Sequence, residues 1–220
     1  MDNKYYLQTL YPLQDRVLHA INSVDTGFYL TGGTAVSRGY LNHRFSDDLD
    51  LFVNDQPLFA RWANRIIQTL ANNNEWNINV LIQDEYFVRL MLTEGRTQLK
   101  IEMINDVPAH VGNIINHPQL GRLDSKENIL ANKLTAILGR EEPKDLADIW
   151  GLCCQLNMPI IPAIEGAQSK AAGIFPPDLA RALHSVTTAD WDVIKWYKGP
   201  TAEKFVTDIR ALAVSLLKLP

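Results

Sequence analysis

The sequence FYLTGGTAVSRGYLNHRFSDDLDLFV, residues 28–53, decides the fold of this chain. It contains a short apolar run, a Gly-Gly turn, a helical pattern, a loop with basic and aromatic residues, and a second apolar run that carries two carboxylates. The second run alternates polar and apolar residues, which is typical of a β-strand. Because successive side chains of a strand point to opposite faces, Asp48 and Asp50 are expected on the same face.

The two carboxylates and the glycine turn are the residues of this stretch that suit chemistry. Oxygen ligands held side by side on a strand are what a hard divalent cation needs. The turn Gly32-Gly33 precedes a helical pattern, where backbone amides can approach a phosphate. Each feature alone is more often structural, because tight Gly-Gly turns and solvated aspartates are common. Together they indicate metal-assisted chemistry on a nucleotide.

Length and composition describe an ordinary globular protein. The chain has 220 residues, of which 46% are apolar and 21% charged, with a formal net charge of −4 and a pI near 5.7. These values suit one large domain or two modest ones, and they argue against a broad basic surface for nucleic acid. We expect no secretory signal and no membrane helix, and therefore a cytoplasmic protein.

Cysteine and histidine indicate neither a disulfide nor a zinc site. The two cysteines, Cys153 and Cys154, are adjacent, a spacing that rarely closes a disulfide. We therefore expect a buried, reduced pair. The five histidines show no ligand spacing.

The order of helical and strand patterns predicts an α+β fold with a mixed sheet flanked by helices. Helical spacing of apolar residues occurs in three segments: 5–22, divided by Pro12, then 34–41 and 57–72. Strand patterns occur in five segments: 28–31, 48–54, 76–82, 86–92 and 98–104. A hairpin turn is expected between the last two strands.

After about residue 105 the pattern changes. A loop region rich in proline and glycine is followed by helical patterns at 124–138, 143–156, 160–172, 177–186 and 201–217. We therefore predict two domains, a mixed α+β domain over 1–118 and a C-terminal helical domain over 119–220.

The order strand, Gly-Gly, helix, loop and Asp-x-Asp strand resembles the nucleotidyltransferase superfamily related to DNA polymerase β. Within it, GGTAVSRGYLNHRFSDDLDLFV is similar to the AbiEii-type toxin nucleotidyltransferases. Their motif reads Gly-Gly-Thr-Ala, then His-Arg-aromatic-Ser, then x-Asp-apolar-Asp-Leu. Residues 43–46 match the middle section, and Asp47 fills the variable position. Asp47 is out of phase with Asp48 and Asp50, so we expect it to cap the loop.

The superfamily usually needs a third carboxylate, and its short Lys-Ile-Glu motif resembles residues 100–102. Strand alternation there lets Glu102 meet Asp48 and Asp50 across the sheet. The same alternation is common on any half-exposed strand, so a purely structural role is equally compatible. Asp106 is the fallback, although it suits a turn better.

Two helical motifs of the family also have counterparts. Residues 127–136 resemble the helix that supplies a lysine, here Lys133. Helical spacing places Lys133 beside the apolar stripe, so it either leaves its charge in water or reaches across to a triphosphate. Residues 144–149 match the Arg/Lys-Asp-x-x-Asp segment, with Asp145 and Asp148.

Asp145 and Asp148 share one face of their helix, and two interpretations stay open. In the structural one, Asp145 lies near the helix dipole and Lys144 pairs with Asp148. In the functional one, they assist acceptor activation or orient Lys133. Lys144 stands where arginine is commoner in the family, which keeps the charge but loses the bidentate fork.

The resemblance implies a nucleotidyltransferase that uses Mg²⁺ or Mn²⁺ and a nucleoside triphosphate. Residues 1–118 would form its catalytic domain, and 119–220 would complete the active-site cleft. The implied metal ligands are Asp48, Asp50 and Glu102, which together with Lys133, Asp145 and Asp148 make the catalytic set. The implied nucleotide-binding residues are Gly32, Gly33, Thr34, Ser46, Lys133 and Arg140.

The biology implied by the resemblance is that of the toxin in a toxin–antitoxin or phage-defence pair. The acceptor would be an RNA, such as a tRNA 3′ end, and an antitoxin protein would be the partner. Two alternatives stay open: a small-molecule acceptor, which the acidic pI favours, and a degenerate member that binds nucleotide without catalysis. Trp191, Trp196 and Tyr197 could stack bases, although helix packing is the commoner role of such residues.

Overall fold

The structure, a computed structural model, describes residues 3–140 and 142–217. Contacts within the chain divide these residues into two units. The first unit comprises 3–35, 46–108 and 113–124, and the second comprises 36–45, 109–112 and 125–217. The chain therefore enters the second unit and returns from it inside the stretch 28–53. The functional division at residue 118 stays a prediction.

The first unit begins with one long helical run. Asn3–Tyr5 (α1), a π-helical segment Tyr6–Leu10 and Tyr11–Asn22 (α2) follow one another without a break. Pro12 lies at the start of α2, where its missing N–H is tolerated. The prediction that Pro12 separates a turn from a helix was therefore wrong. The other helices that begin in this unit are Gly32–Thr34 (α3) and Phe59–Ala71 (α4).

Seven strands of the first unit, all within the described residues, form one mixed sheet. They are Tyr29–Thr31 (β1), Leu49–Asn54 (β2), Asn77–Gln83 (β3), Phe87–Glu94 (β4), Thr97–Asp106 (β5), Ile115–His117 (β6) and Gly121–Leu123 (β7). The order is β3-β4-β5-β2-β1-β7-β6. Strand β2 runs parallel to β5 and antiparallel to β1, while β4 and β5 form an antiparallel hairpin. The predicted mixed sheet flanked by helices is confirmed.

Alternation gives the sheet one apolar and one polar face. In β5, the side chains of Leu99, Ile101 and Met103 are fully buried. Lys100 and Glu102 lie between them in sequence and therefore belong to the other face. Strand β2 follows the same rule, with buried leucines at 49 and 51 on either side of residue 50. The polar face is where the predicted carboxylates lie.

The short strands β6 and β7 were missed by the sequence prediction, which assigned a loop after residue 105. Each has three residues, too few to show a period of two. Strand β7 is held by tertiary pairing, because Leu123 pairs with Leu30 of β1. Among the described strands, β6 pairs only with β7, and its Ile115 is exposed.

The second unit is helical. Its helices are Lys126–Gly139 (α5), Pro143–Trp150 (α6), Ile160–Lys170 (α7), Pro176–His184 (α8), Thr188–Val193 (α9) and Ala202–Leu216 (α10). Two π-helical segments, Ala35–Leu41 and Gly151–Gln155, continue α3 and α6. Ser125 caps α5 by accepting a hydrogen bond from the Asn128 N–H. The predicted C-terminal helices are confirmed, and α9 is additional. None of the helices among the described residues is long and apolar enough to cross a membrane.

Aromatic side chains pack the interior of the second unit. Trp196 makes edge-to-face contacts with Trp150 and Phe205, at ring-centroid distances of 6.0 and 5.5 Å. Its indole N–H donates to the carbonyl of Trp191 at 3.1 Å. In the structure Trp196 therefore packs between helices, which is the commoner of the two roles considered for it from the sequence. Nearby, Cys153 is a free thiol whose pKa is raised to about 12 by burial.

The central position of β5 leads to a first prediction. Ile101→Ala removes a fully buried side chain from the apolar face of the sheet. We expect it to lower the free energy of unfolding by about 2–5 kcal/mol, because lost transfer energy and the remaining cavity add. Urea denaturation measures this difference.

The matched control is Ile115→Ala on the exposed strand β6, where the side chain is 43% exposed. It should change the unfolding free energy by only about 0.5 kcal/mol. Equal losses at the two positions would contradict the assignment of the apolar face.

Candidate active site

The turn after β1 brings the backbone of Gly32 close to a carboxylate. Gly32 has a φ of +66°, a conformation that favours glycine. A Cβ at this position would overlap Oδ2 of Asp50 and would lie 3.0 Å from its Cγ. Asp50 is also paired in register with Thr31 at the end of β1. Glycine is therefore required here by both conformation and space.

Hydrogen bonds fix the loop that leads into β2. The hydroxyl of Thr34, which is buried, donates to the carbonyl of Asp48. The Ser46 N–H donates to the Tyr11 hydroxyl at 3.2 Å, and the Ser46 carbonyl accepts from Nε2 of Gln14 at 3.2 Å. Thr34 and Ser46 thus shape the approach to the carboxylates, and their predicted contacts with phosphate stay predictions.

Asp47 has a partner of its own. Its Oδ1 accepts a hydrogen bond from the Tyr6 hydroxyl at 2.8 Å. Tyr6 is a buried residue of the first helical run. This contact agrees with the expectation that Asp47 has a structural role in the loop.

Strand pairing brings the three predicted metal ligands into one region of the polar face. Asp50 in β2 lies directly beside Glu102 in β5. Asp48, immediately before β2, is linked to Glu102 by Lys100, whose Nζ lies 3.0 Å from Oδ2 of Asp48 and 3.3 Å from Oε1 of Glu102. Arg89 of β4 also binds Glu102, with Nε at 2.7 Å from Oε1.

Lys100, the first residue of the Lys-Ile-Glu motif, is a component of this site for which the sequence predicted no role. Burial alone would lower its pKa, but the hydrogen bond and charge of Asp48 and the charge of Glu102 outweigh burial and raise it. Lys100 therefore carries its charge between two carboxylates. The signal available in the sequence was its position two residues before Glu102 on the same strand.

The donor atoms fit a hard divalent cation. Mg²⁺ usually takes one or two protein carboxylates and completes its shell with water and substrate phosphates. Asp48 and Asp50 supply that number, and Asp48 together with Glu102 already holds one cationic group, the ammonium of Lys100. Among residues 3–140 and 142–217, no three His, Cys, Asp or Glu side chains come together as a metal-binding group. The metal triad with Glu102 thus stays a prediction.

A second charged cluster lies in the helical unit. Nζ of Lys133, in α5, lies 2.6 Å from Oδ1 of Asp145 and 2.6 Å from Oδ2 of Asp148, both in α6. The lysine side chain is 7% exposed and both aspartates are fully buried. The alternative in which Lys133 leaves its charge in water was therefore wrong. Burial alone would lower the pKa of Lys133, but the charges of Asp148 and Asp145 outweigh burial and raise it.

Asp148 is bound by two further residues from the stretch 28–53. Nε and Nη2 of Arg44 lie 2.7 Å from Oδ1 and 2.7 Å from Oδ2 of Asp148. Nε2 of His43 lies 3.0 Å from Oδ1. Burial alone would raise the pKa of Asp148, but the charges of Arg44 and Lys133 and the hydrogen bonds of His43 and Arg44 hold it well below its ordinary value.

Arg140 and Lys144 bind acidic partners at the junction of α5 and α6. Nε of Arg140 lies 3.0 Å from Oδ2 of Asp145, and its side chain is 51% exposed. Lys144 pairs with Glu142 at 2.8 Å. The expected Lys144–Asp148 pair was wrong, because the carboxylate of Asp148 is directed into the unit toward Arg44 and Lys133.

Comparison with known proteins identifies the family. The sequence pattern of the family described as "Nucleotidyl transferase AbiEii toxin, Type IV TA system" matches residues 16–169. The chain belongs to the AbiEii toxin family. It is therefore a nucleotidyltransferase, of a class found in toxin–antitoxin systems. No curated protein sequence matches the chain.

Solved structures with the same fold include other nucleotidyltransferases. MenT4, a nucleotidyltransferase toxin from Mycobacterium tuberculosis, has a TM-score of 0.71 at 16% identity, with 100% of this chain and 87% of that chain covered. JHP933 from Helicobacter pylori has a TM-score of 0.59 at 22% identity, covering 94% and 91%. A putative nucleotidyltransferase from H. pylori has a TM-score of 0.57 at 21% identity, covering 94% of each. These similarities show that the AbiEii chain shares the fold of these proteins.

In this AbiEii chain the candidate residues therefore form two charged clusters, each built within one unit. The sheet cluster consists of Asp48, Asp50, Arg89, Lys100 and Glu102. The helical cluster consists of His43, Arg44, Lys133, Arg140, Asp145 and Asp148. Both sets of aspartates were predicted from the sequence, whereas no role was predicted for Arg89, Lys100, His43 or Arg44.

The approach of Gly32 to Asp50 gives a second prediction. Gly32→Ala should lower the unfolding free energy by more than the roughly 1–2 kcal/mol expected from the left-handed backbone alone, because the new Cβ also displaces Asp50. Urea denaturation of the purified variant measures the loss.

Gly95→Ala is the matched control, because Gly95 has a φ of +57° and open space around its Cβ position. Gly95→Ala should lower the unfolding free energy only by the cost of the left-handed backbone, about 1–2 kcal/mol. If both variants lose the same stability, the close approach of Gly32 to Asp50 is incorrect.

Buried His43 gives a third prediction, on pH dependence. Burial lowers its pKa in the folded chain, with the hydrogen bond and charge of Asp148 opposing this only in part. Below the ordinary histidine value of about 6.5, the unfolded chain therefore takes up a proton that the folded chain does not. His43→Gln should remove this contribution, so that the unfolding free energy falls less steeply between pH 7 and pH 5.

The largest effect of one such proton is about 1.4 kcal/mol per pH unit. His184→Gln, at an exposed histidine, is measured in parallel as the control. An unchanged slope in His43→Gln would mean that the pKa of His43 is not lowered in the folded chain.

Proposed function

We propose that this AbiEii-family enzyme transfers a nucleoside monophosphate from a nucleoside triphosphate to a hydroxyl group of an RNA, such as a tRNA 3′ end. The supporting observation is the pairing of Asp50 with Glu102, with Asp48 nearby and the backbone of Gly32 packed against Asp50. This arrangement combines oxygen ligands for a cation with a glycine turn at the start of a helical run.

Asp48 and Asp50 are the proposed ligands of Mg²⁺ or Mn²⁺. When bound, the divalent ion supplies positive charge to the triphosphate and lowers the pKa of the attacking hydroxyl. Glu102, whose Oε1 binds Arg89 and Lys100, is the proposed third ligand. Lys100 occupies the space between Asp48 and Glu102 in the structure, so cation binding there would displace its ammonium group.

The phosphate groups are assigned to backbone amides and basic side chains. Gly32, Gly33 and Thr34 offer backbone N–H groups to the phosphates, because they lie at the start of the helical run. The hydroxyl of Thr34 is not assigned to a phosphate, because it already donates to the carbonyl of Asp48. Ser46 is assigned to the same group of phosphate contacts. Arg140, half exposed, supplies positive charge.

Lys133 is the proposed phosphate-binding lysine. An ammonium group has three N–H donors, and two of them are directed at Asp145 and Asp148. The third is the one that we assign to a phosphate oxygen. Asp148 is held ionised by Arg44 and does not suit the role of a general base, so we assign Asp145 and Asp148 to orienting Lys133.

In the proposed reaction, the oxygen of the acceptor hydroxyl forms a bond to the α-phosphorus. The bond from the α-phosphorus to the bridging oxygen of the β-phosphate breaks, pyrophosphate leaves, and the hydroxyl proton passes to solvent. The residues of the chain hold the phosphates in line for this displacement, and orientation alone accounts for a large share of such rate enhancements.

The biological role proposed is that of a toxin acting in the cytoplasm, with an antitoxin protein as partner, as the family implies. We assign catalysis to residues 1–118 and substrate binding also to 119–220. The net charge of −4 favours the second candidate, a small-molecule acceptor, because an RNA would need a local basic track.

The fourth prediction concerns the two aspartates. With α-labelled nucleoside triphosphates, Mg²⁺ or Mn²⁺ and total tRNA, Asp48→Asn and Asp50→Asn should each lower transfer by about a thousandfold, because several kcal/mol of charge stabilisation is lost. The readout is label incorporated into RNA. Transfer that survives both substitutions would refute the metal-site assignment.

Asp47→Asn is the matched control, since an amide oxygen can still accept from Tyr6, and it should retain transfer. Parallel reactions with hydroxylated small molecules, and with no acceptor, separate the two candidate functions. Label in a small molecule but not in RNA would overturn the RNA acceptor while keeping the enzyme class.

A further inference from the structure

Two residues of the helical cluster, His43 and Arg44, have no role in the reaction described above. Both are buried, with exposures of 0% and 5%, and both bind Asp148. We propose that His43 and Arg44 are positioning residues for Lys133, acting through the carboxylate of Asp148. The inference rests on the proposed nucleotidyl transfer, in which Lys133 binds a phosphate.

The guanidinium group of Arg44 fixes the plane of the Asp148 carboxylate. Two parallel hydrogen bonds of 2.7 Å each join the two planar groups. Such a bidentate pair restricts rotation, which a single point charge does not. Because the carboxylate is fixed, Oδ2 of Asp148 is presented to Nζ of Lys133 at 2.6 Å. The position of the ammonium group therefore depends on Arg44.

His43 supplies the remaining contact with the carboxylate. An ionised carboxylate only accepts hydrogen bonds, so Nε2 of His43 must donate to Oδ1 of Asp148. Nδ1 is then the unprotonated nitrogen, and it has no hydrogen-bond partner within the described part of the chain. The side chain therefore directs its one N–H to Asp148.

The backbone around these two residues is held by residues 195–198. The Phe45 N–H donates to the carbonyl of Lys195 at 2.7 Å. The N–H groups of Tyr197 and Lys198 donate to the carbonyl of His43 at 2.9 and 3.0 Å. A positioning residue must itself be fixed, and these hydrogen bonds satisfy that condition.

His43 and Arg44 lie close in sequence to the proposed metal ligands. They lie five and four residues before Asp48, in the same stretch that carries the proposed metal ligands. One short segment therefore supplies the carboxylates for the cation and, through Asp148, orients the lysine for the phosphate.

The fifth prediction compares two neutral replacements of His43. The amide nitrogen of glutamine can occupy the position of Nε2, whereas asparagine is too short to reach Asp148. His43→Gln should keep kcat/KM for the nucleoside triphosphate within about threefold of the natural chain, whereas His43→Asn and Arg44→Lys should lower it by about tenfold to a hundredfold. His184→Gln, on an exposed residue, is the control.

A spectroscopic measurement tests positioning without catalysis. ¹⁵N NMR should show His43 as the neutral tautomer protonated at Nε2. The ammonium resonance of Lys133 should shift in His43→Asn and Arg44→Lys but stay in place in His43→Gln. If His43→Asn does not fold by circular dichroism, Arg44→Lys and His43→Gln still decide the outcome.

Several results would overturn the proposal. These are equal kinetics for His43→Gln and His43→Asn, an Nδ1-protonated or cationic His43, or a Lys133 resonance that does not respond to Arg44→Lys. A natural chain with no transfer activity but with the expected NMR changes would instead refute the proposed function and leave the positioning of Lys133 intact.

Discussion

The buried pairing of Arg44 with Asp148 is the interaction on which the helical unit's charged cluster depends. Asp148 is fully buried, and an unpaired carboxylate in such a place would be strongly destabilising. Arg44 makes the burial possible, and the ionised Asp148 together with Asp145 then keeps Lys133 charged inside the unit. Hydrophobic side chains of similar volume often give equal or greater stability. Stability alone therefore does not account for the network, which agrees with the proposal that it positions Lys133.

The sheet cluster handles its charges differently. Asp48 and Lys100 have side chains that are 30% and 31% exposed, so water screens their interaction. The contacts of Asp148 are fully buried and lack this screening. A cluster that must take up and release a cation needs the first kind of pairing, and a cluster that orients a side chain needs the second. The contrast supports different tasks for the two clusters.

Local periodicity explains what was predictable from the sequence. Alternation in β2 and β5 places Asp50 and Glu102 on one face, and parallel pairing then makes them neighbours. The long helices were equally predictable, from the helical spacing of their apolar residues. Strands β6 and β7 were not, because three residues cannot show a period and their pairing partners are distant. The metal, the phosphate contacts and the functional boundary at residue 118 stay predictions.

The partners of Asp148 could not be predicted from the sequence, for a related reason. Arg44 is 104 residues away in sequence, so helical spacing around Asp148 pointed to Lys144 instead. Tertiary contact overrode the local pair, because a buried carboxylate gains more from a bidentate, desolvated arginine than from an exposed lysine.

Hydrogen bonds hold the chain on both sides of the junction between residues 45 and 46. On one side, the carbonyl of His43 and the N–H of Phe45 are bound within the second unit. On the other, Ser46 and Asp47 are bound by Tyr11, Gln14 and Tyr6 within the first. The segment 43–50 therefore contributes hydrogen-bonded backbone to each unit in turn. This is why His43 and Arg44 belong to the helical cluster, whereas Asp48 and Asp50 belong to the sheet cluster.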